Sequence, residues 1–470
     1  MKTASSTAPS SPQRQPEPRA PRGLLLTLPR TSPGTSSVTW SGNLLGNSPL
    51  PTGRGARALA WAAAAALAAQ LPTALAQEVP LGFSIGPGET VTYDSNVLRL
   101  PGNTPAPGGR SDVSSLTSLT GTLHENYGRE DINLSATVGR VFYKRLTNLD
   151  YTEQDLRGAL KASLPLSIEA NLGASHSATL AHFADLSTTA RNIITRNTAN
   201  ADLDLPVYTD FRAVAGAQGS QSRNSNDLFR TQDFNSSEGH GGIRYQPTTG
   251  NHVDLLVRSV TGTYTNGSPA SYVGSGYRNR GADLSADWTF SGASHLHGRA
   301  GYLKHTGDDH LFPVLDAFGF PVSPARSVEI NRNFAGPAFD LTYSWQLTAL
   351  TSVRIFGLRE SGGAGDNNYQ SAVTHTYRVT PTYQPTVKTT LGAYAEWSKR
   401  DYFTNVLVGT AQFNGTQRLD RLHSFGVTAL WNPRRWVQGS VDVHHEVRDS
   451  NVAVGVFDDT VASLQIQGTF

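Results

Sequence analysis

The chain has no cysteine and one methionine, Met1, among its 470 residues. Without cysteine there is no disulfide framework, no thiolate nucleophile and no cysteine-based metal site. Long apolar runs are scarce as well. Past residue 76 no stretch approaches the ~20 consecutive apolar residues that a membrane helix needs, and mean hydropathy is −0.33. A strong charge of either sign is missing too, the formal net being +2. The stretch ahead of Gln77 holds about +6 of that, leaving about −4 on the remainder, so a basic nucleic-acid surface is not indicated. Ser and His are too scattered to suggest an activated nucleophile with its base. We expect neither an enzyme nor a cofactor.

The first 76 residues read as processing signals. Residues 1–53 are rich in Pro, Ser and Arg without periodicity, which reads as a disordered leader or an over-extended gene start. Arg54 and Arg57 then precede the apolar run Ala58–Leu71 and the small-residue triplet Ala74-Leu75-Ala76. Those are the three parts of a secretory signal peptide over residues 54–76, with cleavage before Gln77.

From Gln77 to Phe470 the pattern has period two. In the last segment Ala462, Leu464, Ile466, Gly468 and Phe470 alternate with Ser463, Gln465, Gln467 and Thr469. Because side chains on a strand switch faces at each residue, one face suits lipid and the other water. The same alternation runs through Ala282–Phe290, Phe339–Gln346, Leu391–Ser398 and Val437–His444. About 18 such segments fit, roughly 22 residues each with its connection, and the spacing predicts an all-β, up-and-down antiparallel transmembrane barrel of 16 to 20 strands over residues 77–470.

Connection lengths supply an independent phase. Short turns at Tyr127–Asp131, Leu164–Leu166, Tyr208–Phe211, Gln246–His252, Ser291–Ser294, Gln346–Leu350, Gln384–Thr386 and Asn432–Arg435 alternate with long polar connections. A barrel with both ends in the periplasm requires this order, whereas a soluble sandwich does not. Aromatics such as Tyr208, Phe211, Tyr245, Trp345, Tyr383, Trp431 and Trp436 gather beside the short turns, where an interfacial girdle belongs.

Parity then assigns the lumen. Asp155, Arg157, Lys161, Asp283, Asp287, His295, His297, Arg299, Asp340, Arg354, Arg378, Glu396, Asp442, His444 and Glu446 fall on the polar face as candidate pore-lining residues. The pairs His295/His297 and His444/Glu446 have acceptable ligand spacing but lack further ligands, so no metal is expected. Gly86-Pro87-Gly88 and Gly239-His240-Gly241-Gly242 read as bends in strands. The apolar, Pro-containing connection from His305 to Asn333 either folds into the pore, packs over its mouth or turns outward as a partner-binding surface.

Near the start of the exported part stands Tyr93-Asp94-Ser95-Asn96-Val97-Leu98-Arg99-Leu100-Pro101. In this stretch the sequence resembles the EpsL-type proteins, outer-membrane barrels of exosortase-associated exopolysaccharide loci; Tyr93, Asp94, Asn96, Arg99 and Pro101 carry the likeness, and Leu98 stands where Phe is commoner. The resemblance implies an outer-membrane role in exopolysaccharide export, with exopolysaccharide and periplasmic export components as partners. The residues alone imply outer-membrane lipid around the barrel and the barrel-assembly machinery at the C-terminal strand, with Phe470 as its signal. They leave three functions open: passive conduction of a polysaccharide, general diffusion of small solutes, and a non-conducting structural or adhesive barrel.

Overall fold

The computed structural model describes residues 82–470 except 103, 107, 186–188, 267–275, 308–309, 314–326, 331–332, 364–370 and 404–417; the leader and signal segment lie outside the described residues. The wall begins with β1 (Gly82–Asp94), β2 (Asp112–Tyr127), β3 (Glu130–Tyr143), β4 (Tyr151–Ser163), β5 (Glu169–Leu180) and β6 (Ile193–Tyr208). It continues with β7 (Phe211–Asn224), β8 (Phe234–Tyr245), β9 (His252–Tyr264), β10 (Gly276–Ser291) and β11 (Ser294–Gly307). A small hairpin, β12 (His310–Pro313) with β13 (Ser327–Ile330), stands apart within the longest connection, most of which lies outside the described residues. The wall resumes with β14 (Phe334–Gln346), β15 (Thr351–Gly363), β16 (Ser371–Thr386), β17 (Thr389–Phe403), β18 (Leu419–Arg434), β19 (Val437–Ser450) and β20 (Phe457–Gly468).

Each wall strand pairs antiparallel with its neighbours in sequence, and β20 pairs with β1, closing an 18-stranded ring. Stepping from partner to partner around the ring returns to β1 about 22 residues along. For 18 strands that stagger corresponds to a tilt of about 40° and a backbone radius of roughly 17–18 Å, wide enough to leave an aqueous interior. Each residue then climbs about 2.5 Å along the barrel axis.

The outward set is apolar. Phe83, Leu119, Leu134, Val257, Leu284, Val427, Leu464 and Ile466 are exposed, with polar or charged residues between them on the inner face. Such a belt dissolves in lipid and has no other use on a monomer's surface. Tyr127, Tyr208, Phe290, Trp431, Trp436 and Phe470 ring the short-turn end. On β1, Phe83 and Tyr93 are ten residues apart, about 25 Å in height, the thickness of an outer-membrane belt. The protein is therefore a transmembrane β-barrel of the bacterial outer membrane, its short turns periplasmic and its long connections extracellular.

Several strands run on beyond the belt. β5 continues past His176 to Leu180, and β7 and β8 extend to Asn224 and from Phe234. At the upper end of β7, Ser220–Asn224, both faces are polar, because above the belt both meet water. The two turns placed at Gln384–Thr386 and Asn432–Arg435 fall slightly later, at Val387-Lys388 and Arg435-Trp436.

The seam is the weakest-paired junction. Register between β1 and β20 runs only from Gly88/Gln467 to Asp94/Val461. Ile85 and Phe470 prolong it by reciprocal backbone hydrogen bonds of 3.0 and 2.8 Å, and Phe470 stacks on Trp436 at 5.9 Å. A side chain at Gly86 would collide with the backbone of Gly468, so glycine there permits the close approach. Gly86-Pro87-Gly88 thus lies within a strand, as does Gly239-His240-Gly241-Gly242.

Candidate pore lining

All fifteen candidate lining residues stand on the inner face of their strands, and Asp287/His297, Arg299/Asp340 and Arg378/Glu396 are direct cross-strand partners. Accessibility divides them. Asp155 and Arg157 reach into open lumen, their side chains 32% and 45% exposed and paired at 2.5 Å. By contrast Asp283, Asp340, Arg378 and Glu446 are buried, and a buried side chain cannot meet a passing solute. Arg378 holds Glu396 at 2.5 Å with its guanidinium over the Tyr394 ring at 4.9 Å, a brace across β16 and β17. Asp287 lies between His295 at 3.0 Å and His297 at 2.9 Å, and Asp442 holds His444 at 2.8 Å. Arg299 faces Asp340 across β11 and β14, Lys161 reaches Glu169 at 3.7 Å, and Arg354 stands on β15 beside them. Among the described residues no group of three or more His, Asp and Glu is arranged to hold a metal ion.

A ladder that the sequence reading did not single out runs beside these. Arg244 bridges Asp204 at 2.8 Å and Asp254 at 2.7 Å, Arg212 pairs with Asp204, and Arg258 with Asp283. His240 adds Asp202 at 3.2 Å. All of these except Arg212 line one wall of a lumenal recess of about 170 Å³. Its signal was present in β9, where His252, Asp254 and Arg258 interleave with Val253, Leu255 and Val257.

The extracellular mouth is narrowed from within. Val97 and Leu98 of the β1–β2 connection, Leu146 and Leu149 of the β3–β4 connection and Phe183 of the β5–β6 connection bury one another in a small apolar core. The next residue, Ala184, packs on the inward-facing Leu422 and Phe457, and its carbonyl accepts a 2.5 Å hydrogen bond from Arg448 on β19. Since β5 and β19 are six strands apart around the ring, this connection spans a chord inside the barrel. Beneath it Arg418, Asp420, Arg448, Glu446 and Tyr402 are almost fully buried. Asp420 takes Arg418 at 2.9 Å and the Tyr402 hydroxyl at 3.1 Å. A second row, Phe234, Tyr264, Tyr277, His305 and Phe334, stacks along β8–β14 on the same level, at centroid spacings of 6.5, 6.4, 5.5 and 4.5 Å.

The motif around Tyr93 belongs to this mouth. Tyr93 faces lipid, while Asp94, Asn96 and Arg99 form a clasp over the seam. Arg99 meets both oxygens of Asp94 at 3.0 and 2.9 Å, lies 2.7 Å from Asp459 of β20 and donates to the Asn96 carbonyl at 2.5 Å. Asn96 donates from its amide to Asp459 and from its side chain to Leu100 and Asp458, all within 3.0 Å. Arg99 adopts φ of +52°, a left-handed conformation that the clasp must hold against its cost. Burial works against the Arg99 charge, but Asp94 and Asp459 outweigh it and hold the guanidinium above its ordinary range. Pro101 accepts from Arg110, which pins the rest of the loop.

What the ring, the belt and the charged interior define is an outer-membrane β-barrel with a polar lumen. No family model and no curated protein matches the chain. Among solved structures it is similar to the outer membrane protein OpdK of Pseudomonas aeruginosa, at 11% identity over 83% of this chain and 99% of that one, with a TM-score of 0.43. It is similar also to OccK2 (OpdF) of the same organism, at 10% identity over 83% and 97%, TM-score 0.42. A third likeness is to the siderophore receptor PirA of Pseudomonas aeruginosa, at 10% identity over 82% and 80%, TM-score 0.38.

Proposed function

We propose that the barrel conducts small polar and ionic solutes passively across the outer membrane. The observation that carries this is the pairing of an 18-stranded ring, about 17–18 Å in backbone radius, with an inner face of fixed charges of both signs, some of them open to the lumen. A mouth crossed by the β5–β6 connection limits the size of what enters, and lumen-exposed charges such as Asp155 and Arg157 order ions and hydroxyl-rich solutes by weak contacts. Exopolysaccharide export, implied by the resemblance at Tyr93–Pro101, is a narrower proposal for the same pore. The motif residues themselves are engaged in the clasp, so any contact with a polymer falls to other parts of the lining.

The test is single-channel recording in planar bilayers. Steady ohmic conductance with partial block by monosaccharides and no dependence on chain length supports general diffusion. Block that lengthens with oligosaccharide size favours the exporter, and a deletion strain should then trap polymer in the periplasm. A folded barrel without conductance overturns both and leaves the structural or adhesive role.

A further inference from the structure

The outer wall carries a basic patch that conduction does not use. On β10 the outward residues read, from the periplasmic end, Phe290, Trp288, Ala286, Leu284, Ala282, then Arg280 and Arg278. On β11 they read Leu296, Gly298, Ala300, Tyr302, then Lys304 and Thr306. Lys304 is the direct cross-strand partner of Arg280. Arg278, Arg280 and Lys304 are exposed, and among the described residues none has an acidic partner. No acidic side chain stands on the outer face of β8–β11 or β14. Elsewhere on the upper wall Lys399 holds Asp401 at 3.0 Å.

Height makes the patch specific. Ten residues separate Phe290 from Arg280, which places the guanidinium about 25 Å above the periplasmic girdle, at the upper limit of the lipid belt. That is the level of the extracellular headgroups. Thr261, Thr263 and Thr306 bring hydroxyls to the same place, and with the three cations they border a cleft of about 590 Å³. Below it Val257, Leu284 and Tyr302 offer an exposed apolar surface that acyl chains can follow.

We propose that this patch binds the phosphates of a phosphorylated glycolipid of the outer leaflet, with its acyl chains on the apolar wall beneath. Three unpaired cations beside hydroxyl donors suit a sugar phosphate, and their height excludes inner-leaflet phospholipid as the source. Removing three such cations predicts a loss of retention of about a hundredfold, at roughly fivefold each.

The barrel is refolded without lipopolysaccharide, mixed with equal amounts of lipopolysaccharide and phosphatidylglycerol in detergent, and its retained lipid measured by native mass spectrometry. Wild type should keep lipopolysaccharide selectively, and the R278A/R280A/K304A variant should lose it while keeping heat-modifiable mobility. Equal retention by that variant, or equal retention of the two lipids by wild type, overturns the proposal. Enzymatically dephosphorylated lipopolysaccharide on the wild type gives a reading free of any folding defect: retention as strong as that of the intact lipid likewise overturns it.

Discussion

Replacing Arg99 with methionine tests the clasp at the seam. The substitution keeps most of the side-chain volume and removes the charge, so packing loss is small and the electrostatic effect dominates. In the wild type Asp459 is fully buried and Asp94 is within reach of the same guanidinium, at 2.7 and 2.9 Å. Without Arg99 two carboxylates face each other with only Ser95 and the Asn96 amide, both 3.0 Å from Asp459, to compensate. Breaking a buried pair on one side costs about 3–5 kcal/mol because the remaining charge is uncompensated. The left-handed turn at Arg99 loses its support at the same time. Urea unfolding in detergent micelles, followed by heat-modifiable mobility, should show that loss, and D94N/R99M/D459N should recover most of it. Destabilisation of R99M by less than about 1 kcal/mol, or no recovery in the triple variant, would refute the account of the motif as a clasp.

Other perturbations address the belt, the mouth and the lumen. Leu464→Arg puts a charge on the lipid face near mid-belt and should cost about 2–4 kcal/mol in the same unfolding assay, while the inward neighbour change Gln465→Arg should cost little. Phe183→Ala removes a buried ring from the inward-folded connection, worth about 3–5 kcal/mol of local docking, and should raise single-channel conductance without unfolding the barrel. Arg157→Glu, in open lumen, should move the reversal potential toward cation selectivity; Arg378→Gln, in a buried brace, should act mainly on stability. Gly86→Val should lower the folding yield, because its side chain meets the backbone of Gly468 where the ring closes.

Strand order, approximate strand number and the inward or outward sense of each side chain were legible in the sequence, since lipid and water impose opposite demands on alternate residues. Leu464 and Gln465 carry that information without reference to any neighbour. The upper strand ends were not legible, because above the belt both faces meet water and residues such as Ser220–Asn224 lose their contrast. Nor could parity distinguish Arg157, which meets solvent, from Glu446, sealed beneath a connection that begins six strands away. The stagger of the ring, the chord drawn by Ala184 to Arg448 and the meeting of Arg99 with Asp459 join positions hundreds of residues apart. Local patterning fixed which side of the wall each residue occupies; closure alone decided which of them touch, because distance along the chain ceases to measure distance in space once the last strand pairs with the first.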